Sequence, residues 1–229
     1  MMNFKARITV NSKEELRDVI IKEIIENGFN CNLNHIDISD ITDLSYLFER
    51  YNDCTDRSKS NLLRSFNGDI SSWDTSNVTN MSYMFTQSQF NGRIANWDVS
   101  NVIDMKATFA LSKFNQDISK WNTSKLEVLT FAFVESVFTG DISEWDVSNV
   151  RFMSCMFARS HFNSDISNWD VSNVRDMSKM FEESIFTGDI SNWDVSNVRD
   201  MSYMFSRSYF TGDISNWDMS NVENINEML

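Results

Sequence analysis

Apolar and polar positions alternate along this chain on two scales, a short rhythm inside a long one. In ISNWDVSNV the apolar residues are Ile190, Trp193, Val195 and Val198. Trp193 and Val195 flank Asp194 with period two, which predicts a very short strand with one face inside. The following RDMSYMF changes rhythm: Val198, Met201, Met204 and Phe205 fall at i, i+3, i+6 and i+7. That spacing predicts one face of about two helical turns. The residue before the methionine slot is Asn80, Asp104, Asp176, Asp200 or Asn224 in most copies, a type that suits a helix start.

The long rhythm is a repeat of 24 residues, kept by Trp73, Trp97, Trp121, Trp145, Trp169, Trp193 and Trp217. Two phenylalanine series keep it too, from Phe66 to Phe210 and from Phe85 to Phe205. One unit cannot bury its own Trp, Met and Phe, so units are expected to stack. The predicted fold class is an α/β repeat solenoid, leucine-rich-repeat-like, with one short parallel strand and one short helix per 24-residue coil. Corners between coils carry Gly68, Gly92, Gly140, Gly188 and Gly212, read as supplying a free choice of φ, with Gln116 and Ser164 in the other two. Asn77, Asn101, Asn149, Asn173, Asn197 and Asn221 form a column expected to point inward and bond backbone at a bend.

Two regions precede the regular units. Residues 1–30 read as a strand-helix cap: a strand over Ala6 to Val10, then a helix over Lys13 to Asn27 with Asn11 or Ser12 as its cap. Leu16, Val19, Ile20 and Ile24 form its apolar stripe, and Gly28 stands where a C′ glycine belongs. Residues 31–229 read as the solenoid. SDITDLSYLF from Ser39 superimposes on SNVTNMSYMF from Ser76 at an offset of 37, which places an insertion near 49–65, expected as a loop or short helix.

Composition narrows the partners. The net charge of −13 disfavours nucleic acid and anionic membrane. No long apolar run predicts a membrane insertion. The start lacks an apolar signal-peptide core, so the expected location is intracellular unless a targeting segment has been removed. Cys31, Cys54 and Cys155 are irregularly spaced and are read as free thiols, with a Cys31–Cys54 bridge open if the chain is exported. Proline is absent, which suits a backbone whose N–H groups are all needed.

The candidate binding residues are the acidic column Asp74, Asp98, Asp146, Asp170, Asp194 and Asp218, interrupted by Asn122. Stacked like charges cost stability unless compensated. Bound calcium would compensate, as would an Asx turn to the backbone two or three residues on; the second needs no ligand. A second acidic column, Asp69, Asp117, Asp141, Asp165, Asp189 and Asp213, is read as closing corner turns. The unit around Trp121 departs from the others at Asn122, Lys125 and Val128, a second candidate spot. The periodic methionines are read as core. No HExxH, phosphate loop or activated nucleophile is present, so the expectation is no enzyme, no catalytic residue, no metal and no cofactor.

The strings FNGDISSWDTSNVTNMSYMF and FTGDISNWDVSNVRDMSYMF resemble the repeats of the BspA-like leucine-rich-repeat surface proteins. The nearest branch is the domain of unknown function found in mycoplasma lipoproteins. The resemblance implies a solenoid displayed at the cell surface, acting in adhesion or host contact. The functional expectation is a non-enzymatic protein-binding or adhesive module with a protein partner. The alternative is a structural spacer or self-assembly unit joined through its C-terminal coil; the oligomeric state stays open.

Overall fold

The computed structural model describes residues 5–49 and 57–229. Its regular elements are β1 (Ile8–Thr9), α1 (Lys13–Asn27), β2 (Ile36–Asp37) and α2 (Arg57–Arg64). β1 and β2 pair in parallel, Ile8 opposite Ile36 and Thr9 opposite Asp37. α1 starts where the side chains satisfy its first donors. The Ser12 hydroxyl accepts the Glu15 N–H at 3.1 Å, and the Glu15 carboxylate accepts the Asn11 N–H at 2.8 Å. It ends at Gly28, whose φ of +84° lets its N–H reach the Ile24 carbonyl at 2.8 Å. Leu16, Ile20, Ile21 and Ile24 are its buried face, each contributing about 2 kcal/mol by burial.

None of the four elements lies beyond Arg64. The expected α/β solenoid of leucine-rich-repeat type is therefore corrected: among the described residues no 24-residue unit contains a strand or a helix. The units are runs of turns. Adjacent units meet at single parallel bridges along the row Asp43, Asn80, Asp104, Val128, Phe152, Asp176, Asp200 and Asn224.

Hydrogen bonding explains why the methionine segment is no helix. Met81, Tyr83, Phe85 and Gln87 donate their N–H groups out of the unit, to the carbonyls of Asp104, Lys106, Thr108 and Ala110, at 2.7–2.9 Å. Met84, Thr86 and Ser88 donate within it, to the carbonyls three residues back. A helix would keep all of these bonds inside. The alternation is made by left-handed residues: Tyr83 at φ +58° and Gln87 at φ +56°, with Ala107 and Leu111 in the same slots of the next unit. Tyr83 is the third residue of the Met81–Met84 turn, where a type II turn needs φ above zero. The predicted strand is likewise a pair of turns, with Trp193 N–H bonded to the Ile190 carbonyl and Val198 N–H to that of Val195.

Three rows of rings fill the interior. The Phe66-to-Phe210 row has centroid steps of 6.1–6.4 Å. The row from Phe48 through Phe85 to Phe205 steps by 5.3–5.8 Å. Within a unit the two rows meet, as Phe85 does Phe90, at 4.0–4.7 Å. Offset ring pairs of this kind add about 1 kcal/mol each beyond their burial. The tryptophans form the third row, and each indole N–H donates to a carbonyl of the preceding unit at 3.1 Å.

Two further expectations are revised. The corner glycines do not use positive φ; among the described glycines only Gly28 does. A Cβ at Gly140 would stand 2.7 Å from the Phe138 ring, so the slot is small because a ring folds over it. The asparagine column is not inward: Asn77, Asn149, Asn173 and Asn197 are exposed, and each donates its side-chain N–H to a serine carbonyl of the unit before. The Cys31–Cys54 bridge falls on a residue outside the described ones. Cys31 and Cys155 are buried free thiols, and burial pushes the Cys155 thiol up to about 11.

Candidate functional site

Asp74, Asp98, Asp146, Asp170, Asp194 and Asp218 are all exposed on one face. Each is already engaged. Their Oδ1 atoms accept the N–H of Ser76, Ser100, Ser148, Ser172, Ser196 and Ser220, two residues on, at 3.0–3.1 Å. These are Asx turns, in which a short carboxylate stands in for a backbone carbonyl. The serine bonds hold Asp98, Asp194 and Asp218 below the ordinary carboxylate range. Asn122 makes the same bond to Ser124 at 3.2 Å, so the position asks for an oxygen acceptor and not for a charge. The corner column behaves alike: Asp117, Asp141, Asp165, Asp189 and Asp213 accept from the N–H of a serine two residues on at 2.9–3.0 Å. Among the described residues no three His, Cys, Asp or Glu side chains converge to hold a metal ion.

Asp74 also lines a cleft of about 830 Å³ beside α1, with Lys5, Arg7, Asn34, His35 and Asp37. Its other ionisable groups have partners. Lys5 and His35 both contact Glu23, and Arg7 meets Asp37 at 2.8 Å. The Arg7 contact, with help from Ser39, lowers the Asp37 carboxyl to about 2. Among the described residues Lys5, Arg7, His35 and Asp37 of this cleft each have an ionic or hydrogen-bonding partner.

The face built from the turn segments is different in kind, because its outward positions vary from unit to unit. Ile103, Leu111, Phe131 and Phe152 are 37–42% exposed, large apolar side chains in three successive units. Main-chain contacts join their neighbourhoods. The carbonyl of Ile103 accepts the Glu127 N–H at 2.9 Å, Val128 bridges Phe152, Phe131 N–H meets the Ser154 carbonyl, and Leu111 N–H meets that of Val134. Ala107, Ala110 and Ala158 of the same turn segments are nearly buried. In the slots of Ile103 and Leu111 the next two units hold Glu127, Arg151, Glu135 and Arg159, and the two units after Phe152 hold Arg175, Asp176, Lys179, Glu183, Arg199, Asp200 and Arg207. One face therefore carries apolar side chains bordered by charged ones.

Of the three residues that set apart the unit of Trp121, only Val128 belongs to this patch. Asn122 serves its Asx turn, and Lys125 donates to the Asn101 side-chain oxygen at 2.6 Å. The rest of the patch had a readable signal, namely which repeat columns change letter while the Trp, Asp and Ser columns do not. No helix among the described residues is long and apolar enough to cross a membrane.

The chain belongs to the family described as Mycoplasma protein of unknown function, DUF285, whose model matches residues 57–160 and again 128–229. No curated protein and no solved structure matches it. The resemblance to BspA-like leucine-rich-repeat surface proteins is corrected accordingly. The matching family is the Mycoplasma one, and the units lack the strand and helix of a leucine-rich coil. Surface display and adhesion were implied by that resemblance and lose their basis with it.

Proposed function

We propose that this member of the Mycoplasma DUF285 family is a non-enzymatic protein-binding module whose contact surface is the apolar part of the turn face, at Ile103, Leu111, Phe131 and Phe152. One observation carries the reading: four large apolar side chains stand exposed in adjoining units whose remaining Phe and Trp rings are buried. Exposed apolar side chains grouped in neighbouring units point to an interaction site, whereas a single one does not. Recognition also needs positions free to differ, and the turn face has them. The acidic column uses its Oδ1 atoms in its own Asx turns, which hold the backbone.

A pull-down with the whole chain tests this. The Phe131→Ser/Phe152→Ser variant should lose the captured protein, and Asp146→Asn/Asp170→Asn/Asp194→Asn should retain it. Retention by the serine variant would remove the patch from the reading. A mass that rises with concentration in light scattering, and falls back in the serine variant, would assign the patch to contacts between copies.

A further inference from the structure

Two columns of charged residues run along the turn face, and they are built differently. In one, Glu135, Arg159, Glu183 and Arg207 occupy equivalent slots of four successive units. Signs alternate, and each neighbouring pair is in contact: Glu135 with Arg159 at 3.5 Å, Arg159 with Glu183 at 3.1 Å, Glu183 with Arg207 at 3.6 Å. The column closes on itself. Glu183 is held between two guanidiniums, and Arg159 among three carboxylates, Glu182 being the third at 3.8 Å.

The other column reads Glu127, Arg151, Arg175, Arg199, Glu223. Here three cations follow one another, and the carboxylates stand only at the ends. Glu127 meets Arg151 at 3.7 Å and Glu223 meets Arg199 at 3.6 Å. Among the described residues Arg175 forms no ion pair. Its backbone is fixed between its neighbours, Arg175 N–H to the Arg151 carbonyl and Arg199 N–H to the Arg175 carbonyl, both at 2.9 Å. Side chains on adjacent backbones so bonded start about 5 Å apart, a spacing at which like charges repel. The nearest carboxylates in sequence, Asp176 and Asp200, form no ion pair with these arginines among the described residues; their Oδ1 atoms accept the Ser178 and Ser202 N–H groups at 2.8–2.9 Å. Arg151, Arg175 and Arg199 are all exposed.

The column also adjoins the apolar patch. Phe152 follows Arg151 directly and bridges Asp176, the residue after Arg175. An exposed apolar side chain and an unpaired guanidinium thus stand on adjoining units.

Resting on the docking reading above, we infer that the partner is a peptide segment with acidic side chains next to apolar ones, its carboxylates seated on Arg175 and the flanking Arg151 and Arg199. A guanidinium presents a planar fork that matches a carboxylate bidentately. The short length of the column favours a peptide over a nucleic acid. Three arginines lie between Glu127 and Glu223 on a chain of net charge −13, so a long polyanion meets repulsion at both ends.

The probe is a labelled extended peptide alternating Glu with Leu, compared with the same peptide carrying Gln for Glu, binding the whole chain in fluorescence anisotropy. The Glu peptide should bind about tenfold tighter than the Gln peptide at low salt. The difference should shrink at high salt. Arg175→Gln should remove the difference, Arg175→Lys should keep part of it, and Arg93→Gln, outside this column, should leave it unchanged. Equal affinity of the two peptides, a difference that survives Arg175→Gln, or equal competition by a single-stranded RNA would overturn the inference. The docking reading fails separately. If Phe131→Ser/Phe152→Ser binds both peptides as well as the parent while the Arg175-dependent difference persists, the patch is wrong and the arginine column stands.

Discussion

The indole N–H of Trp145 donates to the carbonyl oxygen of Ile118 at 3.1 Å, and the same oxygen accepts the backbone N–H of Trp121 at 3.2 Å. One carbonyl, using both lone pairs, closes a turn in its own unit and anchors the ring of the next. Isoleucine carbonyls do the same from Ile70 through Ile190, so the tryptophan row is a row of links between units. Trp145→Phe keeps an apolar ring but removes the donor and part of the volume. It should lower unfolding stability by about 2 kcal/mol in urea titration. A loss under about 0.5 kcal/mol would mean that the link contributes little.

Glycines of one repeat column should respond unequally. At Gly68 a Cβ would lie 2.0 Å from the Cys31 carbonyl oxygen, which is backbone and cannot give way easily. That oxygen also accepts the Asp69 N–H at 3.1 Å. At Gly140 the obstacle is the Phe138 ring alone, at 2.7 Å, and Ser164 fills the equivalent slot beside Phe162. Gly68→Ala should cost about 3 kcal/mol and Gly140→Ala about 1 kcal/mol or less. Equal thermal shifts in the two variants would show that backbone clearance is not what distinguishes them.

Leu111 sits at φ +52° and sends its N–H to the Val134 carbonyl at 2.8 Å. Asparagine tolerates this left-handed conformation, whereas a β-branched residue does not. Leu111→Asn should therefore be more stable than Leu111→Val by about 1 kcal/mol. Chemical denaturation of both variants checks the sign, and a more stable valine variant would contradict the turn geometry.

Acid should weaken the fold through the Asx turns. Hydrogen bonds from the backbone, then from the serine hydroxyl, hold Asp117, Asp141, Asp165, Asp189 and Asp213 below their ordinary carboxylate range. A carboxylate depressed in the folded state binds its proton more readily when unfolded. Its contribution is complete above the unfolded value and is lost as pH falls below about 4. Asparagine at these five positions keeps the acceptor, as Asn122 does, and has no proton to take up. The substituted chain should show a flatter melting temperature between neutral and acid pH, and an unchanged acid slope would discount the turns.

Much of the interior is legible in the sequence, because burial sets it: Trp193, Val195, Val198, Met201 and Phe205 are all nearly buried. Secondary structure is less so. Apolar residues at i, i+3 and i+7 mark one side of a helix, and a run of three-residue turns puts the same residues on one side. The cue separating the two would have been glycine or asparagine at the left-handed slots. Those slots hold Tyr83, Ala107, Phe131, Cys155, Lys179 and Tyr203, held there by bonds to the next unit. Such bonds join residues 23 apart in sequence, as Tyr83 to Lys106, beyond the reach of a local pattern. The acidic column was visible as a column, but its Asx bonds make it a backbone device first. The patch at Ile103, Phe131 and Phe152 emerges only when copies are compared for what differs.

Which face meets a partner decides the function. The deciding measurement is the affinity of a protein captured by the parent chain, determined by calorimetry for Ile103→Ser/Phe131→Ser/Phe152→Ser and for Asp146→Asn/Asp170→Asn/Asp194→Asn, with both variants shown folded. The turn-face variant should bind at least about tenfold more weakly and the acidic-face variant within about twofold of the parent. The reverse order would contradict the account and return the binding site to the acidic column.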